Sequence, residues 1–314
     1  MKKAGKTSLW TKLFSIVLIL FTSFVLLDTF IIPRAYVIEN DSVAEQSVNT
    51  ASSVSSTADA EKNTTESTSA TVTENSYSDG NISITITKYR EYDTDIYVAD
   101  VTVTDASYLK TAFADSTYGK NITEKTSVIA DESGAILAIN GDYYGAQNSG
   151  YVIRNGKIYR DTISASSQED LVIYEDGSFE IVTEGSVSAS ELLAGGAVHV
   201  LSFGPGLIEN GEISVTESEE VDKAKTSNPR TAIGQISDLH YVMVVSDGRT
   251  SKSAGLSLQE LAEFMQGLGV TTAYNLDGGG SSTMVFNGTV INNPTTNGTS
   301  IKERSVSDIV CFAD

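Results

Sequence analysis

Sulfur ligands, imidazoles and positive charge are all scarce in this chain. Its one cysteine, Cys311, leaves no intramolecular disulfide and no cysteine-rich metal site. Two histidines, His199 and His240, disfavour histidine-rich zinc or iron centres, and each reads as a strand or turn residue without a catalytic partner pattern. Only 21 Lys and Arg face 41 Asp and Glu over 314 residues, a net charge of −20. So acidic a chain repels phosphate backbones, which excludes nucleic acid as a partner, and any anionic substrate must be held by a local group of arginines. Also missing are a Gly-x-Ser-x-Gly elbow, a phosphate loop ending in Gly-Lys-Ser/Thr, a dinucleotide fingerprint and His-Glu-x-x-His. Serine esterases of the α/β class, nucleotide hydrolases, dehydrogenases and zincins are therefore set aside.

Three segments of different composition are present. Lys2, Lys3, Lys6 and Lys12 precede an apolar run over residues 13–27 that resumes as Phe30-Ile31-Ile32 before Pro33. Residues 1–38 thus read as a cytoplasmic tip and a signal anchor or cleaved signal peptide, which leaves the rest of the chain outside the membrane or secreted. No small-x-small cleavage site precedes Tyr36, which favours an uncleaved anchor at the cell membrane. Residues 39–79 are rich in Ser and Thr, are acidic, and contain Tyr77 as their one aromatic. Such a stretch cannot bury enough apolar area to offset its ordering entropy and is expected to be a disordered linker. Residues 80–314 carry the remaining 15 basic and 32 acidic residues and form the expected folded domain.

In that domain apolar and polar residues alternate at Ile82-Ser83-Ile84-Thr85-Ile86 and again over residues 96–103, as half-buried strands require. Asn155-Gly156, Asp176-Gly177, Asn210-Gly211 and Asn287-Gly288 predict two-residue type I′ hairpin turns. Ser257 with Glu260 forms a capping box ahead of the apolar stripe Leu258, Leu261, Met265 and Leu268, and a shorter helix is expected near residues 188–193. The fold class is α+β, a mixed or largely antiparallel sheet with a few helices.

Polar and glycine clusters punctuate the strand ends. Asn275-Leu276-Asp277-Gly278-Gly279-Gly280-Ser281-Ser282-Thr283 lies between two apolar segments. Three glycines there cost backbone entropy and add no packing, so a close approach or a positive φ is required. Their amides, with the hydroxyls of Ser281, Ser282 and Thr283, are candidates for an anion cradle, and Asp277 for acid/base, nucleophile or cation ligand. In Asn140-Gly141-Asp142-Tyr143-Tyr144, the two tyrosines suit sugar stacking and Asn140 and Asp142 suit sugar hydroxyls. Arg230, Arg249 and Arg304, each embedded among Gly, Ser or Asp, can grip phosphate oxygens in bidentate fashion.

These clusters, with Phe203-Gly204-Pro205, Pro229-Arg230-Thr231-Ala232-Ile233-Gly234, Asp247-Gly248-Arg249 and Arg304-Ser305-Val306, resemble the phosphodiester glycosidase family from about Ala135 to the C-terminus. The resemblance implies hydrolysis of a sugar C1–O–phosphate bond in a cell-surface or extracellular glycan, such as an exopolysaccharide. Asp277 is then the expected nucleophile or base, with Asp247 or Glu303 as second carboxylate. Many members carry Gly-Gly-Phe-Phe where this chain has Gly141-Asp142-Tyr143-Tyr144, so Asp142 is expected to tune substrate selectivity. No cofactor is required. A calcium- or magnesium-dependent phosphodiesterase using Asp277, Asp247 and Glu303 as ligands remains an alternative, as does a non-catalytic glycan-binding module.

Overall fold

The computed structural model describes residues 9–36, 70–165, 167–215 and 227–314. Most of the linker expected at 39–79 lies outside the described residues. The first element is the helix Leu9–Phe30. Its Trp10–Phe30 portion is long and apolar enough to cross a bilayer, and none of it is buried against the rest of the chain.

Three large antiparallel sheets build the domain, with two two-stranded ladders beside them among the described residues. The largest has nine strands, ordered Glu212–Ile213, Gly206–Glu209, Thr272–Leu276, Arg230–Ser237, His240–Ser246, Thr94–Val103, Ile82–Glu91, Ser76–Ser78 and Thr71–Val72. The last two precede Gly80, so the sheet begins earlier than the expected domain boundary, and Tyr77 is buried. The second sheet runs Lys157–Arg160, Val152–Arg154, Ala197–Leu201, Glu169–Tyr174 and Phe179–Thr183. A third runs Thr289–Val290, Met284–Phe286, Leu137–Asn140, Asp308–Phe312 and Leu109–Phe113. The α+β architecture and its antiparallel pairing follow the expectation from sequence.

All three sheets send side chains into one core: Ile84, Val101 and Met243 from the first, Leu171 and Leu201 from the second, Ile139 and Phe312 from the third. The opposite face of the large sheet is covered by the helix Leu258–Gly267 through Leu258, Leu261 and Met265, which meet Ile96, Val98 and Val244. Strand Thr94–Val103 is therefore apolar at both parities over residues 96–99, as a strand sandwiched between two layers must be. The helix keeps its expected capping box, with the Glu260 amide donating to Ser257 Oγ and the Ser257 amide to Glu260 Oε2. Ser188 and Glu191 form a second box on the helix Ala189–Ala194. A helix not anticipated from sequence, Thr126–Glu132, packs against the third sheet through Ile129 and Ala130.

Asn155-Gly156, Asn210-Gly211 and Asn287-Gly288 all adopt positive φ at both positions, as type I′ turns demand. Asp176-Gly177 departs from that expectation. Only Gly177 has positive φ, and the Tyr174 amide reaches the Ser178 carbonyl around a longer loop, in which the Asp176 carboxylate accepts from the amide and hydroxyl of Ser178.

Candidate active site

The glycine-rich segment is the passage of the chain from one sheet to another, leaving the large sheet at Leu276 and entering the third at Met284. Asn140, at the end of its own strand, fastens the two sheets together. Its Nδ2 donates to the Asp277 carbonyl at 2.6 Å, while its Oδ1 accepts from Thr231 Oγ1 at 2.9 Å and the Thr283 amide at 3.2 Å. Fully buried and saturated, Asn140 positions the Asp277 backbone and has no group left for a sugar hydroxyl.

Asp277 stands at the mouth of this junction, 8% exposed. Arg304 Nη2 donates to its Oδ2 at 2.7 Å, and Arg304 Nε donates to Ser281 Oγ at 2.8 Å. The guanidinium also lies over the Tyr143 ring, 5.8 Å from its centroid, and keeps 40% of its side chain exposed. Burial raises the Asp277 carboxyl above the ordinary carboxylate range, and Arg304, Ser281 and the Gly278 amide pull it back down. One step beyond the Thr231–Leu276 pair, the ladder brings buried Arg230 to the same end of the sheet, where its Nε donates to the Leu256 carbonyl at 2.9 Å.

Arg249 crosses the glycine turn. Its Nη1 donates to the Thr296 carbonyl at 2.7 Å, and Nε and Nη2 donate to Asn228 Oδ1. Gly279 adopts φ +63°, and a Cβ there would stand 2.9 Å from Arg249 Nη2; a Cβ on Gly280 would stand 2.3 Å from Thr296 Oγ1. The glycines thus admit the close approach of Arg249 and of the loop carrying Thr296. They do not present three open amides, because the Gly279 amide already donates to the Pro229 carbonyl at 2.8 Å. Ser282, Thr283 and Asn275 are buried as well, so the expected hydroxyl cradle is sealed at its base; Ser282 Oγ, Thr283 Oγ1 and Asn275 Oδ1 have no hydrogen-bond partner there.

Four further expectations change. Asp142 is fully buried: its Oδ2 takes Arg154 Nη2 at 2.9 Å and the Ser202 amide at 2.8 Å, its Oδ1 takes the Tyr144 amide, and Asp308 shares the same guanidinium at 2.8 Å. It is part of an internal ion triad, with no surface for substrate selection. Tyr144 is also buried, stacked on Tyr118 at 5.1 Å, which leaves Tyr143, at 41% exposure, as the one tyrosine of the pair open to a sugar. Asp247 is held by Asn293, whose amide and Nδ2 each donate at 2.7 Å, so its carboxylate pins the loop after the third sheet's hairpin. Glu303 turns to the helix Thr126–Glu132, accepting the Ser127 amide at 3.0 Å and its hydroxyl at 2.7 Å, and serves as that helix's cap. Asp277, Asp247 and Glu303 therefore have three separate sets of partners. Among the described residues no group of three or more His, Cys, Asp or Glu is gathered as a metal site would need.

Sequence reasoning missed Arg154, Asn293 and Asn292, whose Nδ2 donates to the Ser282 carbonyl at 2.9 Å and whose Oδ1 accepts the Met284 amide at 2.9 Å. A lone Arg before an Asn-Gly turn gives no sign that Asp142, twelve residues back, and the distant Asp308 will close on it. Asn292 and Asn293, just after the Asn287-Gly288 turn, carry only the weak signal of paired amides.

A family model for phosphodiester glycosidases matches residues 133–313. The mouse N-acetylglucosamine-1-phosphodiester alpha-N-acetylglucosaminidase is 32% identical over 188 residues, 54% of this chain and 35% of the mouse protein. An uncharacterized prophage-derived protein of Bacillus subtilis, YomE, is 29% identical over 182 residues, 57% of this chain and 28% of that one. The chain thus spans about a third of the length of these relatives. The catalytic domain of the zebrafish N-acetylglucosamine-1-phosphodiester alpha-N-acetylglucosaminidase superposes with a TM-score of 0.59 at 22% identity, covering 74% of this chain and 83% of that structure, which shows a shared fold. With more than half of its length matched by the family model, glycine turn and arginines included, the chain belongs to the phosphodiester glycosidase family.

Proposed function

We propose that this protein hydrolyses a glycosyl-1-phosphodiester, breaking the bond between sugar C1 and the phosphate oxygen. The observation that carries this reading is the Asp277–Arg304 pair at 2.7 Å, held at an exposed mouth with Tyr143 beneath the guanidinium. A phosphate monoester is a good leaving group, so C1–O cleavage needs little proton donation. It needs the phosphate charge held and the positive charge at C1 met by a carboxylate. Arg304 supplies the first: an arriving phosphate takes over the guanidinium face now shared with Asp277 and frees that carboxylate. Asp277 supplies the second, attacking C1 itself or taking the proton from a water that does. The C1–O electron pair leaves with the phosphate, and water supplies the new hydroxyl. Exposed Tyr143 offers an aromatic face to the sugar, while Arg230 and Arg249 flank the turn. Two relatives, of mouse and human, are named for this class of reaction. We further propose that the N-terminal helix anchors the chain in the cell membrane with the domain outside.

The test is incubation with N-acetylglucosamine 1-(methyl phosphate), with the released products identified. With the reaction run in water enriched in oxygen-18, free N-acetylglucosamine and unlabelled methyl phosphate are expected, whereas label in the methyl phosphate would show attack at phosphorus. Release of N-acetylglucosamine 1-phosphate with methanol would instead show P–O cleavage and overturn the reading. Asp277→Asn should lower kcat about 10³-fold or more, the scale of about 4 kcal/mol of transition-state stabilisation, with the melting temperature little changed.

A further inference from the structure

A groove of about 400 Å³ opens beside the candidate centre and shares Arg304 with it. Thr296, whose side chain crowds Gly280 and whose carbonyl takes Arg249 Nη1, lines it as well. Lys125 and Lys302 also line it, with Asn297 and Ser300. Three cations line one groove of a protein whose net charge is −20. Neither lysine takes part in an ion pair among the described residues. The carboxylate that also lines the groove, Glu303, turns its oxygens to Ser127 and makes no ion pair with either lysine, so three cations against one carboxylate leave the lining a net positive charge.

The walls are fixed. Lys125 pairs with Ser305 across a two-residue ladder, so its position relative to Arg304 is set by backbone bonds. The Lys302 amide donates to the Pro294 carbonyl at 2.7 Å, and Thr295 Oγ1 to the Ser300 carbonyl at 2.8 Å, which closes the loop between them. Lysines on long stems hold an anion as mobile point charges and need no single bidentate geometry, whereas the fork of Arg304 demands one. Hydroxyl and amide groups between them suit a sugar lying along the groove.

We propose that this groove is a second phosphate subsite, and that the substrate is a polymer in which sugar-1-phosphate units repeat: while Arg304 holds the phosphate being cleaved, Lys125 and Lys302 hold the next one along the chain. The proposal rests on the glycosidase reading for its chemistry but not for its binding. A substrate with one phosphate has no use for this groove.

The experiment compares an oligomer of N-acetylglucosamine-1-phosphate with N-acetylglucosamine 1-(methyl phosphate), using the full chain and the doubly substituted Lys125→Ala/Lys302→Ala protein. Oligomer binding is measured separately by calorimetry in an Asp277→Asn background. Wild type should favour the oligomer. The double variant should lose about three- to tenfold in kcat/KM and in affinity for the oligomer, mainly through KM, with turnover of the methyl ester unchanged. Lys125→Arg/Lys302→Arg should keep the preference, and raised salt should erase it. Equal handling of both esters by wild type, or an oligomer affinity indifferent to the two lysines, overturns the subsite. If neither ester is cleaved yet oligomer binding depends on the lysines, the glycosidase reading fails and the subsite stands.

Discussion

Two arginine–carboxylate centres in this protein use the same chemistry for opposite ends. Arg154 lies 1% exposed between Asp142 and Asp308, with neither charge accessible to water. Arg304 holds Asp277 with 40% of its side chain in solvent and an aromatic ring beneath it. Inside, the desolvation of three charged groups is offset only by their mutual attraction and by amide donors, so the triad locks a geometry and exchanges nothing. At the mouth, the arginine half of the pair stays partly in water, and a ligand can displace it from Asp277. Exposure of the arginine, rather than the presence of an Arg–Asp pair, separates a structural joint from a site.

Removing the arginine from each centre sharpens that contrast most. Arg154→Met leaves two buried carboxylates without a counter-ion and should destabilise the domain by about 3–5 kcal/mol in urea unfolding. Adding Asp142→Asn and Asp308→Asn should recover part of this loss. A single variant as stable as wild type would show that the triad does not hold the fold. Arg304→Ala should cost less stability than Arg154→Met, about 1–2 kcal/mol, and lower kcat/KM for the methyl phosphodiester about 10²- to 10³-fold. Activity within a few-fold of wild type would remove Arg304 from the phosphate grip.

The sequence read well wherever one local rule was in force. Alternation at residues 82–86, the capping box at Ser257, the short helix near residue 188 and three of four hairpin dipeptides report short-range physics, and each stands as expected. The Asp277 segment was legible because three consecutive glycines after a strand forgo packing and mark a close approach to the backbone. What the sequence did not carry is which polar groups face inward. Asp142 and Tyr143 are neighbours in one motif, yet one is fully buried and the other 41% exposed, because Arg154, on the next strand, brings Asp142 together with Asp308 from the far end of the chain. Asp247 and Glu303 looked like partners of Asp277 by composition alone; Asn293 and Ser127, which claim them, are tertiary neighbours.

pH divides the two regions with a smaller effect at any single step. Asp170, near the triad, is buried beside Glu184, and its carboxyl is pushed up to about 9, first by desolvation and then by that like charge. The folded state therefore keeps a proton that the unfolded chain releases near pH 4. Stability gained from it is complete at low pH and declines as pH rises toward 9, by up to about 1.4 kcal/mol per unit. Asp170→Asn should flatten the slope of urea-unfolding free energy between pH 5 and 9, and an unchanged slope would assign the proton elsewhere. Burial lowers the His199 ring to about 3, and this acts in the opposite direction: its contribution is present above the unfolded value near 6.5 and is lost as pH falls toward 3. At the mouth, activity should rise with pH through a value above the ordinary carboxylate range as Asp277 ionises, and Asp170→Asn should leave that limb in place.

The smallest expected effect concerns the carboxylate adjacent to the key arginine. Glu303 and Arg304 are consecutive, yet Glu303 accepts both donors of Ser127 while Arg304 reaches Asp277 and Ser281. If Glu303 is only a cap, Glu303→Gln keeps an acceptor for one donor and loses the charge at the helix start. That should cost about 0.5–1 kcal/mol in unfolding free energy and shift kcat/KM less than threefold. Ser127→Ala should cost a similar amount, and the double variant little more than either single one, since both remove one contact. A drop of 10²-fold or more in turnover for Glu303→Gln, with Ser127→Ala unaffected, would return Glu303 to the catalytic pair. It would also mean that an exposed arginine on a carboxylate does not by itself identify the chemistry at this mouth.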